Sequence, residues 1–220
     1  LLTDMGGPAT TGDLEDFLRA LLGDPRILRM PLGFLLRPLL SRRIARTRAP
    51  KVAHRYDAIG GGSPLLPATR RLAGALEERL EVPVHVAMRY TAPRTAAALD
   101  EMRGRGVGRV VVIPLYPQYS TSTTASTRDD LDRHGQPGIT CAMVERHADR
   151  TAYLDVMTES LATSRAAAPQ GAYVLFTAHS VPESFTLGGD PYVSEIAATV
   201  RGIASRANLG EKGHSLAWQS

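Results

Sequence analysis

Short apolar runs alternate along this chain with longer helical patterns, and that alternation limits the fold more than any other feature. Strands buried on both faces read as apolar runs, and helices between them supply the crossovers that parallel strands need. The strand candidates are Leu1 to Thr3, Val84 to Tyr90, Arg109 to Tyr116, Ile139 to Glu145, Ala172 to Thr177 and Ser215 to Trp218. Leu14, Phe17, Leu18, Leu21 and Leu22 repeat at helical spacing after Thr11 and stop at Gly23. Leu72, Leu76 and Leu80 follow a Ser63-Pro64 start, and Ile196, Val200 and Ile203 follow Asp190-Pro191. A capping side chain ahead of a proline satisfies otherwise orphaned amides, so both pairs read as helix beginnings. The fold class is α/β with parallel sheets.

Turn formers cluster at HGQPG, 134 to 138, after a polar helix, which makes this loop the candidate boundary between an N-terminal domain, 1–134, and a second, 138–220. The sequence has no internal repeat. Its last stretch, HSLAWQS, ends in or just after a strand with no covering helix, so the second domain is expected to hold three strands and an exposed edge, part of a longer whole.

With 43% apolar residues among 220, the chain has the material for a real core. A single cysteine, Cys141, makes no internal disulfide and builds no metal cluster alone, which suits a reducing compartment, and core packing is its expected role. The net charge of +4 is local. Residues 26–51 carry eight cations and no acid, interleaved with Leu28, Met30, Leu32, Phe34, Leu35, Leu36, Leu39 and Leu40. Such a segment suits an anionic membrane surface or an anionic apolar ligand. With only Phe34 to stack on a base, it does not suit nucleic acid. No apolar run approaches the ~20 residues that cross a bilayer.

Ligands of parallel α/β sheets sit beyond the carboxyl ends of the strands. The residues that follow the strands here are DMGGP, with Met5; Arg89 and Tyr90; YPQYSTSTT; AHS; and WQS. Tyrosines, arginines, serines and one histidine therefore fall on one rim. His179 stands out, because a neutral imidazole is both a base near neutral pH and a transition-metal ligand. His54 and His134 read as solvated helix positions, His147 as a strand-to-helix link, and His85 and His214 as strand starts. IGGGSP, 59 to 64, suggests an anion cradle in which glycine amides and Ser63 hold a carboxylate, or simply a capped turn; it lacks the lysine and spacing of a nucleotide loop. No GxSxG elbow supports a serine hydrolase.

In chain order, LLTDMGGPAT, GDLEDFLRALLGDPRIL, RYDAIGGGSPL, AMRYTAP, VVVIPLYPQYSTSTTAS, FTAHSVPESF, GDPYVSEIAATV and LAWQS resemble the motifs of the ferrochelatases. These enzymes insert ferrous iron into a porphyrin as the last step of haem synthesis. The resemblance implies two Rossmann-like, chelatase-type halves with the porphyrin in the cleft between them, the second half incomplete here. It gives His179 the part of the essential histidine, as iron ligand or as acceptor of a pyrrole proton. Met5 matches the position facing the macrocycle, and Arg48, Tyr56 and Ser63 match porphyrin contacts. Arg89, Tyr116 and Tyr119 match the pocket and its polar edge, where a guanidinium can pair a propionate. Trp218 matches the pocket wall. Residues 27–48 match an apolar lip that rests on a membrane. The family's acid facing the histidine lies beyond WQS.

The resemblance further implies porphyrin and ferrous iron as substrates, no permanently bound cofactor and no partnership with nucleic acid. Cys141 alone supports no iron–sulfur cluster. The location it implies is cytoplasmic, with a peripheral hold on the inner membrane; the oligomeric state is left open. MGGP, IGGGSP and YPQYS resemble the protoporphyrin-using branch of the family more than the coproporphyrin one, which implies protoporphyrin as the substrate. A non-catalytic porphyrin-binding fragment and a nucleotide-binding domain using 59–64 are the other readings.

Overall fold

A computed structural model describes residues 1–30 and 32–219; Pro31, inside the 27–48 segment, and Ser220, the end of WQS, lie outside the described residues. The chain forms two compact units, Leu1–Leu115 with Ser122–Val144, and Tyr116–Thr121 with Glu145–Ser220.

The first unit is built on β1 (Leu2–Asp4), β2 (Val86–Met88), β3 (Arg109–Pro114) and β4 (Thr140–Met143), all parallel, in the order β2-β1-β3-β4. On β3 the β-branched residues alternate as the pleat requires: Val110 and Val112 are buried while Val111 faces out. They meet Ala98, Leu99 and Met102 of α4 (Thr95–Gly104) and Leu131 of α5 (Thr124–Arg133) in one apolar cluster with Ala87. Each fully buried Leu or Met there contributes roughly 1.5–3 kcal/mol.

Helix α1 (Leu14–Leu22) buries Leu14 and Phe17 and ends where the Gly23 amide donates to the Arg19 carbonyl. It packs against α2 (Gly33–Asp57), a 25-residue helix that contains Pro38 and Pro50. Prolines inside a helix remove amide hydrogen bonds and blur its pattern, and so the basic, oily segment hides its helix in the sequence. Helix α3 (Leu65–Leu80) follows the glycine loop.

The second unit pairs β5 (Val174–His179) with β6 (His214–Gln219) in parallel. Helix α6 (Thr151–Ala166) packs on α8 (Tyr192–Arg206), where Leu154 Cδ1 lies 3.0 Å from the place a Cβ on Gly202 would take. Phe185 of the short α7 (Glu183–Leu187), Ile196 and Ile203 complete this core.

The strand after HGQPG does not open the second unit. β4 pairs with β3 from Arg109↔Thr140 to Val112↔Met143, so the loop reverses the chain within one sheet, and among the described residues the unit it was expected to start holds two strands rather than three. Turn chemistry marks a reversal but not which sheet the next strand joins. Cys141 is likewise exposed rather than packed, because β4 pairs on one side only and this residue sits on its open surface.

Candidate functional site

In the first unit the loops after β1 and β2 are stitched together: Arg89 N donates to Asp4 O at 2.7 Å and Tyr90 N to Met5 O at 2.9 Å. Met5 is half-buried there. Gly6, at φ +81°, lies so close that a Cβ would collide with Thr91 Oγ1. A Cβ on Gly7 would strike Ser63 Oγ, and one on Gly62 the Ala9 carbonyl, so MGGP and IGGGSP interlock. Ser63 lines a cavity of about 480 Å³ with Gly7, Phe17, Leu66, Tyr90 and Thr91.

The glycine loop is not an anion cradle. The amides of Ile59 and Gly61 donate to Tyr56 O, that of Gly60 to Asp57 O and that of Ser63 to Pro8 O, all within 2.8–3.2 Å. Ser63 Oγ accepts the Leu65 amide at 3.3 Å. With these donors used inside the chain, a carboxylate or nucleotide phosphate does not find the row of amides expected; the positive φ of Gly60 and Gly61 and the close approach of Gly62 to the Ala9 carbonyl account for the glycines.

Arg89, matched to the pocket and its polar edge, is buried in the first unit. Its side chain is 10% exposed, with Nη2 2.8 Å from Asp24 Oδ2 and Nη1 3.2 Å from Asp130 Oδ1. Nε donates to Ser126 Oγ at 2.9 Å. Tyr90 Oη and Ser126 Oγ donate to the same Asp24 oxygen, at 2.9 and 2.5 Å. Burial first, then the Asp24 charge, pushes the Tyr90 phenol above its ordinary range. A guanidinium held by two internal carboxylates is not offered to a propionate.

Arg48 is exposed and Tyr56 half-buried on α2. Earlier on that helix Phe34, Leu35 and Leu39 are 75%, 59% and 72% exposed. An apolar surface among arginines is unusual on a soluble domain. No helix among the described residues is long and apolar enough to cross a membrane.

In the second unit His179 is the last residue of β5, exposed and in register with Gln219. Just after it, the Ser180 amide donates to Gln219 O at 2.7 Å. Trp218 registers with Ala178, so the pleat turns it to the opposite face from His179. There its ring lies 6.3 Å from that of Tyr192.

The loop carrying Tyr116 and Tyr119 is clamped by side chains that sequence reasoning passed over. Asp190 Oδ2 accepts the Ser120 hydroxyl at 3.0 Å, the Thr121 amide at 2.8 Å and the Thr121 hydroxyl at 2.6 Å. Asp190 Oδ1 caps α8 by accepting the Tyr192 amide at 3.0 Å. Burial works against this charge, yet these bonds outweigh it and hold the carboxyl below its ordinary range. Glu195 Oε2 accepts the Tyr119 amide at 2.8 Å, and its other oxygen pairs Arg146, whose guanidinium lies 5.2 Å from the Tyr119 ring centre. The cap role of Asp190 was visible in its place before Pro191; its hold on a loop 69 residues away was not.

The family model described as Ferrochelatase matches residues 1–220. A protein named Ferrochelatase from Synechococcus sp. (strain JA-3-3Ab) is 40% identical over 233 residues, which cover all of this chain and 68% of that relative. Another of the same name, from Geotalea uraniireducens (strain Rf4), is 40% identical over 227 residues, covering all of this chain and 70% of the relative. A third, from Gloeobacter violaceus (strain ATCC 29082 / PCC 7421), is 38% identical with 71% of its length covered.

Proposed function

Since the chain belongs to the ferrochelatase family, we propose that it inserts ferrous iron into protoporphyrin IX to form protohaem, with His179 as the catalytic residue. The observation that carries this reading is the place of His179: an exposed imidazole at the carboxyl end of a parallel strand, held in register with Gln219 of β6. Metal insertion must remove two protons from pyrrole nitrogens as the cation enters. An imidazole near neutral pH can take such a proton, or it can hold the incoming iron.

The other candidates supply binding. Met5 and Ser63 stand at interlocked loops, where the backbone keeps its shape against a flat ligand. Tyr56, Tyr116 and Tyr119 offer apolar faces with polar tips. Arg48, exposed, is free to pair a propionate as Arg89 is not. Trp218, its ring tilted against that of Tyr192, supports the wall from behind. The exposed leucines, Phe34 and arginines of residues 27–48 rest on an anionic membrane, from which an apolar porphyrin arrives. The protein works in the cytoplasm, at that surface.

The test is zinc insertion into protoporphyrin and coproporphyrin, followed by fluorescence. The wild-type chain should favour protoporphyrin, and His179→Ala should lose insertion while still quenching on porphyrin binding. Preference for coproporphyrin would reassign the substrate; binding without insertion in the wild type would leave a porphyrin-binding chain; full turnover in the variant would remove His179 from the chemistry.

A further inference from the structure

The second unit contains a carboxylate that touches no expected substrate contact directly, yet ties the loop of Tyr116 and Tyr119 to the start of α8. Asp190 is 4% exposed and receives four hydrogen bonds. Three come from Ser120 and Thr121, immediately after Tyr119. The fourth, from the Tyr192 amide, fixes the first residue of α8, whose ring lies 6.3 Å from that of Trp218 on β6, the strand paired with β5. Glu195, one turn further along α8, holds the Tyr119 amide itself. The first turn of α8 thus holds the tyrosine loop and, through the Tyr192 ring, meets Trp218 of β6, the strand that pairs with the one carrying His179.

We propose that Asp190 is a positioning residue of the porphyrin site: it fixes the YPQYST loop, and with it the Tyr116 and Tyr119 faces, in register with the strand end that carries His179. This rests on the site reading given above. The alternative, a helix cap and nothing more, uses only the Tyr192 bond and leaves three donors from a distant loop unexplained. A loop rich in hydroxyls and tyrosines has many conformations of similar energy. A single buried anion that accepts an amide and two hydroxyls selects one of them, and charge-assisted bonds of this kind are about twice as strong as neutral ones. Loss of the anion frees the tyrosines before it disturbs the strand, whose pairing with β6 does not involve Asp190. The cost should therefore appear in porphyrin binding rather than in the insertion step.

The experiment measures protoporphyrin affinity by fluorescence quenching and zinc insertion at saturating porphyrin, for the wild type, Asp190→Ala, Asp190→Asn and Thr121→Val in the full chain. The expected result is a roughly ten-fold weaker Kd for Asp190→Ala, a smaller loss for Asp190→Asn, which keeps one acceptor oxygen, and about three-fold for Thr121→Val, with saturated rates within about two-fold of wild type. Circular dichroism establishes that each variant is folded at the assay temperature. If Asp190→Ala does not fold, Thr121→Val decides, since it leaves the cap on α8 intact. An unchanged Kd in a folded Asp190→Ala, or in Thr121→Val, would overturn the positioning role. So would a fall in saturated rate as large as the loss of affinity. A wild-type chain that binds no porphyrin would overturn the site reading itself and the inference with it; normal wild-type binding with an insensitive Asp190 would overturn the inference alone.

Discussion

Arg89 Nη2 lies 2.8 Å from Asp24 Oδ2, with the Asp24 side chain 1% exposed. This pair joins the end of β2 to the turn after α1, where the Ile27 and Leu28 amides also bond to Asp24 O. The root of the segment leading to α2 is therefore tied to the sheet by one buried anion.

Asp24→Ala should destabilise the protein by about 3 kcal/mol, the low end for breaking a buried pair, because Asp130 still faces the guanidinium. Asp24→Asn should cost less, since its amide oxygen can still accept from Tyr90 and Ser126. Urea unfolding followed by circular dichroism measures both; equal midpoints for wild type and Asp24→Ala would show that the network contributes no net stability.

Arg48→Ala should weaken porphyrin binding by ten- to a hundred-fold, on the order of the 1.5–3 kcal/mol carried by a charge-assisted hydrogen bond. Arg48 is exposed on α2, so the thermal midpoint should stay where it is. Arg89→Ala should do the opposite, lowering the midpoint sharply. A titration and a melt on each variant separate the two roles, and an Arg48→Ala chain with wild-type affinity would take Arg48 out of the site.

These contrasts mark where sequence reading reached and where it stopped. All six strands among the described residues lie within the apolar runs or one or two residues from them, because strands favour apolar and β-branched residues that pack on at least one face. Helix α1 was equally plain, with its leucine spacing and Gly23 stop. Partnership was hidden. Arg89 was found at the end of its strand, but Asp24 and Ser126 reach it from 65 and 37 residues away, and no local pattern reports that they do. The glycine loop showed its composition and not its partners, so amides bonded to Tyr56 and Pro8 looked free. Cys141 shows the same gap, since burial depends on what covers a strand and not on the residue type alone.

The apolar surface of α2 should bind lipid. Phe34→Glu and Leu39→Glu, at 75% and 72% exposure, remove apolar area without disturbing packing. Each should lower sedimentation with vesicles rich in phosphatidylserine several-fold, and raised salt should lower wild-type binding too, because arginines flank the leucines. Binding that responds to neither substitution nor salt would assign that surface elsewhere.

His147 should limit stability on the acid side of neutrality. It follows β4 and precedes α6, with its amide bonded to Pro117 O at 2.9 Å, its ring edge-on to Tyr153 and its Nδ1 buried without a partner. Burial disfavours the imidazolium and holds the pKa below the ordinary value. The sign follows from linkage: the unfolded chain takes up the proton first, so the unfolded state gains as pH falls. The contribution is whole above about pH 6.5 and is lost as pH drops through the folded value. Urea midpoints measured from pH 7.5 to 5 should fall for the wild type and fall less for His147→Phe, which fills a similar space and cannot titrate. The two proteins should differ most at the acid end of the range; parallel midpoints throughout would mean that His147 meets its proton as easily folded as unfolded.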